Sequence, residues 1–194
     1  MSYIYIVPIE LEDHSYLEKL GGFIFDTFHI RTRSRDLKIN LREVFDPNRE
    51  QYNSSLILQQ LIMKPPLDAE KMLGVVGVDL FIPILTFVFG EAQLKGIGAV
   101  VSIHRLHNRF YGLVEDSDVT TERLLKEAVH ELGHTFGLIH CSQPQCVMNS
   151  STYVENIDQK SAELCALCQK NIKADKSPRV NKGFPFSWWG KSGK

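Results

Sequence analysis

The first 140 residues of this 194-residue chain lack cysteine, and all four cysteines lie between positions 141 and 168. Any thiol chemistry is therefore confined to the last third of the chain. An excess of charge is missing too. The 22 basic and 23 acidic residues leave a formal net charge of −1, which favours neither nucleic acid nor an anionic membrane as a partner. The opening stretch MSYIYIVPIELEDH has no charged leader, long apolar run or small-residue cleavage site, so it reads as a strand and not as an export signal. The most apolar stretch, LGVVGVDLFIPILTFVFG over 73–90, holds Asp79, Pro83 and three glycines. It suits two buried strands around a turn better than a membrane span. Repeats and low-complexity tracts are absent. With 43% hydrophobic and 23% charged residues, the expectation is a single soluble, cytoplasmic globular domain.

Periodicity then places the elements. Residues 3–7 alternate like a strand that Pro8 ends, and Tyr16, Leu17, Leu20, Phe23, Ile24 and Phe28 predict a helix within 12–28. Arg31, Arg33 and Arg35 share one face of the next strand, expected to be solvated or to protect a sheet edge. A helix is expected over 49–63, before Pro65 and Pro66, with strands over 73–78, 85–89 and 97–103. Asp118-Val-Thr-Thr offers caps for a helix over about 121–136, which Gly137 would stop. A last helix is expected over about 159–172, with Asp158 as its cap. The tail from Lys173 is expected to pack back or stay loose, with Trp188 and Trp189 docking on their own domain. The fold class is thus α/β (α+β), a mixed sheet with helices followed by a small cysteine-rich portion.

Within that frame, residues 130–141 read HELGHTFGLIHC. His130 and His134 are one helical turn apart on the same face, so both imidazoles can reach one ion. Glu131 points about 100° round the helix, where it can touch a metal-bound water without entering the coordination sphere. Gly137 lets the chain reverse so that His140 returns as third ligand. Three nitrogens leave a fourth tetrahedral position open, the arrangement of a catalytic zinc. With 7 histidines in 194 residues, a third in the required place is about a 1-in-28 coincidence. The expected chemistry is a zinc-activated water whose proton Glu131 takes and passes to a leaving amine. His104 and His107 either line the cleft or are structural, and His14 and His29 carry no spacing signal.

Cys141 and Cys146 form one close pair, and Cys165 and Cys168 a second. Two pairs separated by a loop have the spacing of a closed four-thiolate zinc site, with two disulfides or a redox pair as the alternatives. A thiolate from Cys141 in the histidine site would displace the water that Glu131 needs. The stretch therefore divides between His140 and Cys141, with two metals on the order of 10 Å apart. The cysteine site would then position His140 through the backbone.

HELGHTFGLIHC resembles the extended zinc signature of the metzincins, and CSQPQCVM with CALC downstream is similar to the archaemetzincin branch. The resemblance covers about 73–170, including DLFIPILTFVFGEA (79–92) and VSIHRLHNRFYG (101–112). It implies a zincin-like fold, a catalytic zinc on His130, His134 and His140, and Glu131 as general base. It further implies Met148 as the methionine beneath the ligands, a second zinc on the four cysteines, and an edge strand near Phe87, Val88 and Phe89 that pairs with an extended peptide. Subdomains of 1–137 and 138–194 would enclose the cleft. In two places the sequence departs from the family pattern. Sixteen residues, one fewer than usual, separate Met148 from Cys165, and Ser150 stands where some metzincins place a tyrosine, Tyr153 being nearby but out of pattern. The activity implied is zinc-dependent hydrolysis of peptides, with short peptides or N-terminal residues as candidates. The rival expectation is a two-zinc binding module with little or no turnover.

Overall fold

The computed structural model describes residues 1–174, and the expectations for Trp188, Trp189 and the rest of the tail lie outside them. A five-stranded sheet forms the centre. Its strands are β1 (Tyr3–Ile9), β2 (Thr32–Ser34), β5 (Ala69–Val76), β7 (Gly90–Ala92) and β8 (Gly98–Ser102), in the order β2-β1-β5-β8-β7. All pairings are parallel except that of the edge strand β7 with β8. A smaller sheet joins β3 (Phe45–Asp46), β4 (Gln51–Asn53) and β6 (Leu80–Phe81). The helices are α1 (Tyr16–Phe28), α2 (Ser54–Leu61), α3 (Ser117–Thr135), α4 (Val154–Gln159) and α5 (Ala166–Ala174). Among the described residues, no helix is long and apolar enough to cross a membrane.

Alternation along the strands divides the core. Ile4, Ile6, Leu73, Val75, Ala99 and Val101 pack with α1 and α3 on one face, while Tyr5, Val7, Met72 and Val100 pack with Ile57, Leu58 and Leu61 of α2 on the other. Lining both faces with helices accounts for the near-continuous burial of β5 and β8. Arg33 lies on the outer strand β2, its guanidinium 3.6 Å from the Tyr3 ring centre and 3.4 Å from Asp68, in keeping with an exposed edge.

Several boundaries differ from expectation, each for a local reason. β1 runs through Pro8 because the ring nitrogen falls on the side that faces β2, beyond the last β2 residue, where no donor is needed. α1 begins at Tyr16, since Asp13 folds back to accept the Ser15 amide at 2.8 Å. The stretch before α2 is a short hairpin, and Asn53 caps that helix by accepting from Leu56 N–H at 3.2 Å. α3 starts earlier than predicted, at Ser117, with Asp116 as its cap. The edge strand expected over 85–89 does not form. Val88 makes one isolated bridge to Leu80, Phe89 is buried in the core, and the edge strand lies at β7. The single helix expected over 159–172 is two, α4 and α5, separated by extended backbone at Lys160, and Asp158 lies inside α4.

One polar contact fixes α3 against the sheet. Lys71, on β5, is fully buried and donates to Thr135 O and Gly96 O, each at 2.6 Å. An ammonium beside the last carbonyls of α3 satisfies them and opposes the negative end of the helix. Its Nζ also lies 4.5 Å from the centre of the Phe136 ring. Lys71→Met removes the donor from the buried Thr135 carbonyl and the half-buried Gly96 carbonyl and should lower stability by about 2 kcal/mol, read as a lower urea midpoint with an unchanged slope.

Candidate active site

α3 supplies His130, Glu131 and His134 from its last two turns. Its end is tight: Phe136 closes the helix, and Gly137 takes a φ of +91°, a conformation open to glycine without strain. The reversal delivers His140, and the ligand nitrogens of the three histidines all lie within 4.8 Å of one another. His130 and Glu131 are buried, whereas His140 is exposed, so the cluster opens to solvent on one side.

Backbone carbonyls orient two of the imidazoles. His130 Nδ1 lies 2.8 Å from Val147 O and His134 Nδ1 lies 2.8 Å from Leu138 O. A carbonyl only accepts, so each Nδ1 carries the hydrogen, and each Nε2 turns a lone pair inward. The two Nε2 atoms are 3.1 Å apart. Two acceptors at that separation repel unless a cation lies between them, and a tetrahedral zinc with ordinary Zn–N lengths sets its nitrogens about 3.3 Å apart. Burial, foremost, holds both imidazoles below their usual pKa, which favours the neutral ligand form. The donor set therefore fits zinc.

Glu131 lies against the edge strand. A Cβ placed on Gly90 would come within 2.6 Å of Glu131 Cγ and 2.8 Å of its Oε1. Burial first, then the charges of Glu127 and Glu91, push the Glu131 carboxyl well above the usual range, and Lys160 opposes that rise. Gly133 plays the matching part on the other side of α3, since a Cβ there would meet Met148 Sδ at 2.5 Å. Met148 is fully buried against the helix turn that bears the first two histidines.

Among the described residues, no strand pairs with the outer side of β7. Ser102 N–H donates to Phe89 O and Gln93 N–H to Gly98 O, so alternate residues of this antiparallel ladder face β8. The main-chain groups of Gly90 and Ala92 accordingly point outward. Phe87 and Phe89 pack edge to face with ring centres 5.3 Å apart just before that edge.

The four cysteines converge as free thiols, their sulfurs all within 4.8 Å of one another. Cys141 Sγ lies 3.8 Å from Cys165 Sγ, and Cys146 Sγ 3.8 Å from Cys168 Sγ. A tetrahedral zinc with ordinary Zn–S lengths places its sulfurs about 3.8 Å apart, and the donor chemistry fits that ion as well. A hydrogen bond from the Cys168 amide, foremost, lowers the Cys165 thiol to about 7, whereas burial raises those of Cys146 and Cys168. The two clusters share one loop. Val147, whose carbonyl orients His130, stands between Cys146 and Met148, while Cys141 N–H donates to Met148 O at 2.9 Å.

Other histidines lie apart from this centre. His107 is buried in a 2.7 Å contact with Glu115 near the start of α3, which lies roughly 25 Å along the helix from His134. It lines a cavity of about 640 Å³ together with His104, and none of the converging histidines or cysteines does so. His29 caps α1 in a left-handed conformation, and His14 is exposed. Sequence reasoning missed Gly90, Gly133, the Val147 carbonyl, Glu127 and Lys160. Of these only Glu127, one turn before Glu131 on the same helix face, carried a spacing signal.

Comparison with known proteins agrees with this geometry. Peptidase family M54 matches residues 37–174. An archaemetzincin of Methanocaldococcus jannaschii is 44% identical over 158 residues, which are 81% of this chain and 84% of that protein. One from Archaeoglobus fulgidus is 37% identical over 170 residues, covering 88% of this chain and 98% of its own length. The crystal structure of the Methanopyrus kandleri archaemetzincin matches with a TM-score of 0.80 at 29% identity, over 90% of this chain and 94% of that one. A zinc-dependent peptidase from Methanocorpusculum labreanum matches with a TM-score of 0.79 at 30% identity, over 87% and 99%. A mixed sheet with an antiparallel edge, a histidine-bearing helix beneath it and relatives of nearly the same length leave one assignment: the chain belongs to peptidase family M54, the archaemetzincins, and is a zinc metallopeptidase.

Proposed function

We propose that this peptidase binds two zinc ions, a catalytic one on His130, His134 and His140 and a structural one on Cys141, Cys146, Cys165 and Cys168. The observation that carries the catalytic assignment is the pair of inward-facing Nε2 atoms, 3.1 Å apart with both Nδ1 atoms engaged by carbonyls. Zinc there supplies Lewis acidity toward a peptide carbonyl and lowers the pKa of water. Glu131 is the general base: its carboxylate takes a proton from the attacking water and gives it to the leaving amine. Gly90 keeps that carboxylate in place by having no side chain, and Met148 supports the ligands from beneath, against Gly133.

An extended peptide binds along the outward main-chain groups of Gly90 and Ala92, with Phe87, Val88 and Phe89 leading into that edge. Short peptides and N-terminal residues are the substrates this reading favours. Four free thiols gathered at one point suit a reducing compartment, and we place the protein in the cytoplasm.

A peptide-library digest tests the activity. Wild-type protein should cleave, chelation should abolish cleavage, and Glu131→Ala should keep its zinc while losing about 100-fold or more in turnover. Hydrolysis that survives in Glu131→Ala sinks the mechanism, and a wild-type protein inert across the library favours a binding module instead. Gly90→Ala presses on both the Glu131 carboxylate and the Val100 carbonyl of β8 and should lower kcat by about 100-fold, measured by steady-state kinetics on a cleaved peptide. Metal analysis should return two zincs per chain. Cys146→Ser should weaken zinc at the histidines, because Val147 would lose the anchor that holds its carbonyl toward His130. Unchanged affinity there in a chelator competition would refute the coupling.

A further inference from the structure

Lys160 and Glu127 form a buried ion pair beside the histidine cluster, and their opposed charges largely offset each other at Glu131 without contacting any of the converging histidines. Lys160 is 3% exposed and Glu127 4%. Their charged atoms, Nζ and Oε1, are 2.9 Å apart, but Oε1 is off the hydrogen-bonding line, so the contact is one of charge. The aligned bond of the ammonium goes elsewhere, to Asn149 O at 3.1 Å. Asn149 closes the turn that carries Val147: its N–H donates to Cys146 O at 2.8 Å, and its side chain donates to Cys141 O at 2.9 Å. Glu127 lies on α3, three residues before His130. The ammonium thus joins the two segments that hold the ends of the hydrogen bond between His130 Nδ1 and Val147 O.

Mere cohesion does not account for the pair. α4 is already fastened to α3 by Arg123, which makes two 2.7 Å bonds to Asp158 and a third, of 2.8 Å, to Leu106 O. Desolvating two charges is expensive, and apolar side chains of similar volume hold buried segments together as well or better. What an apolar pair cannot do is fix the direction of a carbonyl-bearing turn.

We propose that Lys160 is a positioning residue for the histidine site, holding the Cys146–Asn149 turn so that the Val147 carbonyl orients His130. The inference rests on the reading of His130, His134 and His140 as ligands of one metal. A hydrogen-bond partner of this kind acts on affinity as well as rate, and its loss typically costs 10- to 100-fold.

The test is a Co2+ titration followed by visible absorption, with the histidine-site band identified as the one that His134→Ala removes. Lys160→Met should weaken Co2+ binding in that band by about 10-fold or more and shift the band. The double variant Glu127→Leu with Lys160→Met removes both charges and should fold as stably as the wild type in urea, yet keep the weakened, shifted band. Wild-type affinity and an unchanged band in either variant overturn the proposal and leave the pair a structural one. A wild-type protein with no band that His134→Ala removes overturns the histidine-site reading itself, and the inference with it.

Discussion

Two imidazole nitrogens facing each other with their lone pairs at 3.1 Å repel in the absence of a cation, and this is the constraint around which the active half of the molecule is arranged. Side-chain freedom would dissipate the arrangement. It persists because each ring is held from behind by a carbonyl, and each carbonyl is held by chain geometry. Leu138 O is placed by the reversal at Gly137, and Val147 O by the Cys146–Asn149 turn that follows the second cysteine. The cysteine cluster, the methionine and the buried Lys160–Glu127 pair all converge on the same short loop.

The sheet supplies the other boundary. α3 packs beneath β8 and β7, with the Lys71 ammonium under its last turn, so the depth of the histidines is set by sheet–helix packing. Missing side chains matter as much as present ones on this helix. Gly90 lets the Glu131 carboxylate lie against the edge strand, and Gly133 lets Met148 close in from the opposite side. Glycine at these two places makes room for a neighbour, whereas Gly137 is there for its backbone conformation.

Much of this was legible in the sequence. The histidine helix, its stop at Gly137, the gathering of the four cysteines and the mixed sheet all follow from spacing and periodicity, since those patterns are set by covalent repeat. Other features depend on partners distant in the chain and left no local signature. The edge strand fell at Gly90–Ala92 because Phe89 is drawn into the core and Val88 is taken by Leu80, whereas β-propensity alone favoured 85–89. The helix expected over 159–172 broke where Lys160 turns inward to meet Glu127, a tertiary demand that overrides local propensity. Pro8 reads as a stop from local signals, because the sequence does not reveal which side of β1 lacks a neighbour.

The loop that orients His130 has a consequence for how the protein comes into being. His130, Glu131 and His134 are synthesised before Val147, and the thiols that gather that loop are complete only at Cys168. A nascent chain that has emerged as far as His140 therefore carries all three imidazoles without the carbonyl that aims the first. The three histidines thus come first in the chain, and the carbonyl that aims the first of them comes after.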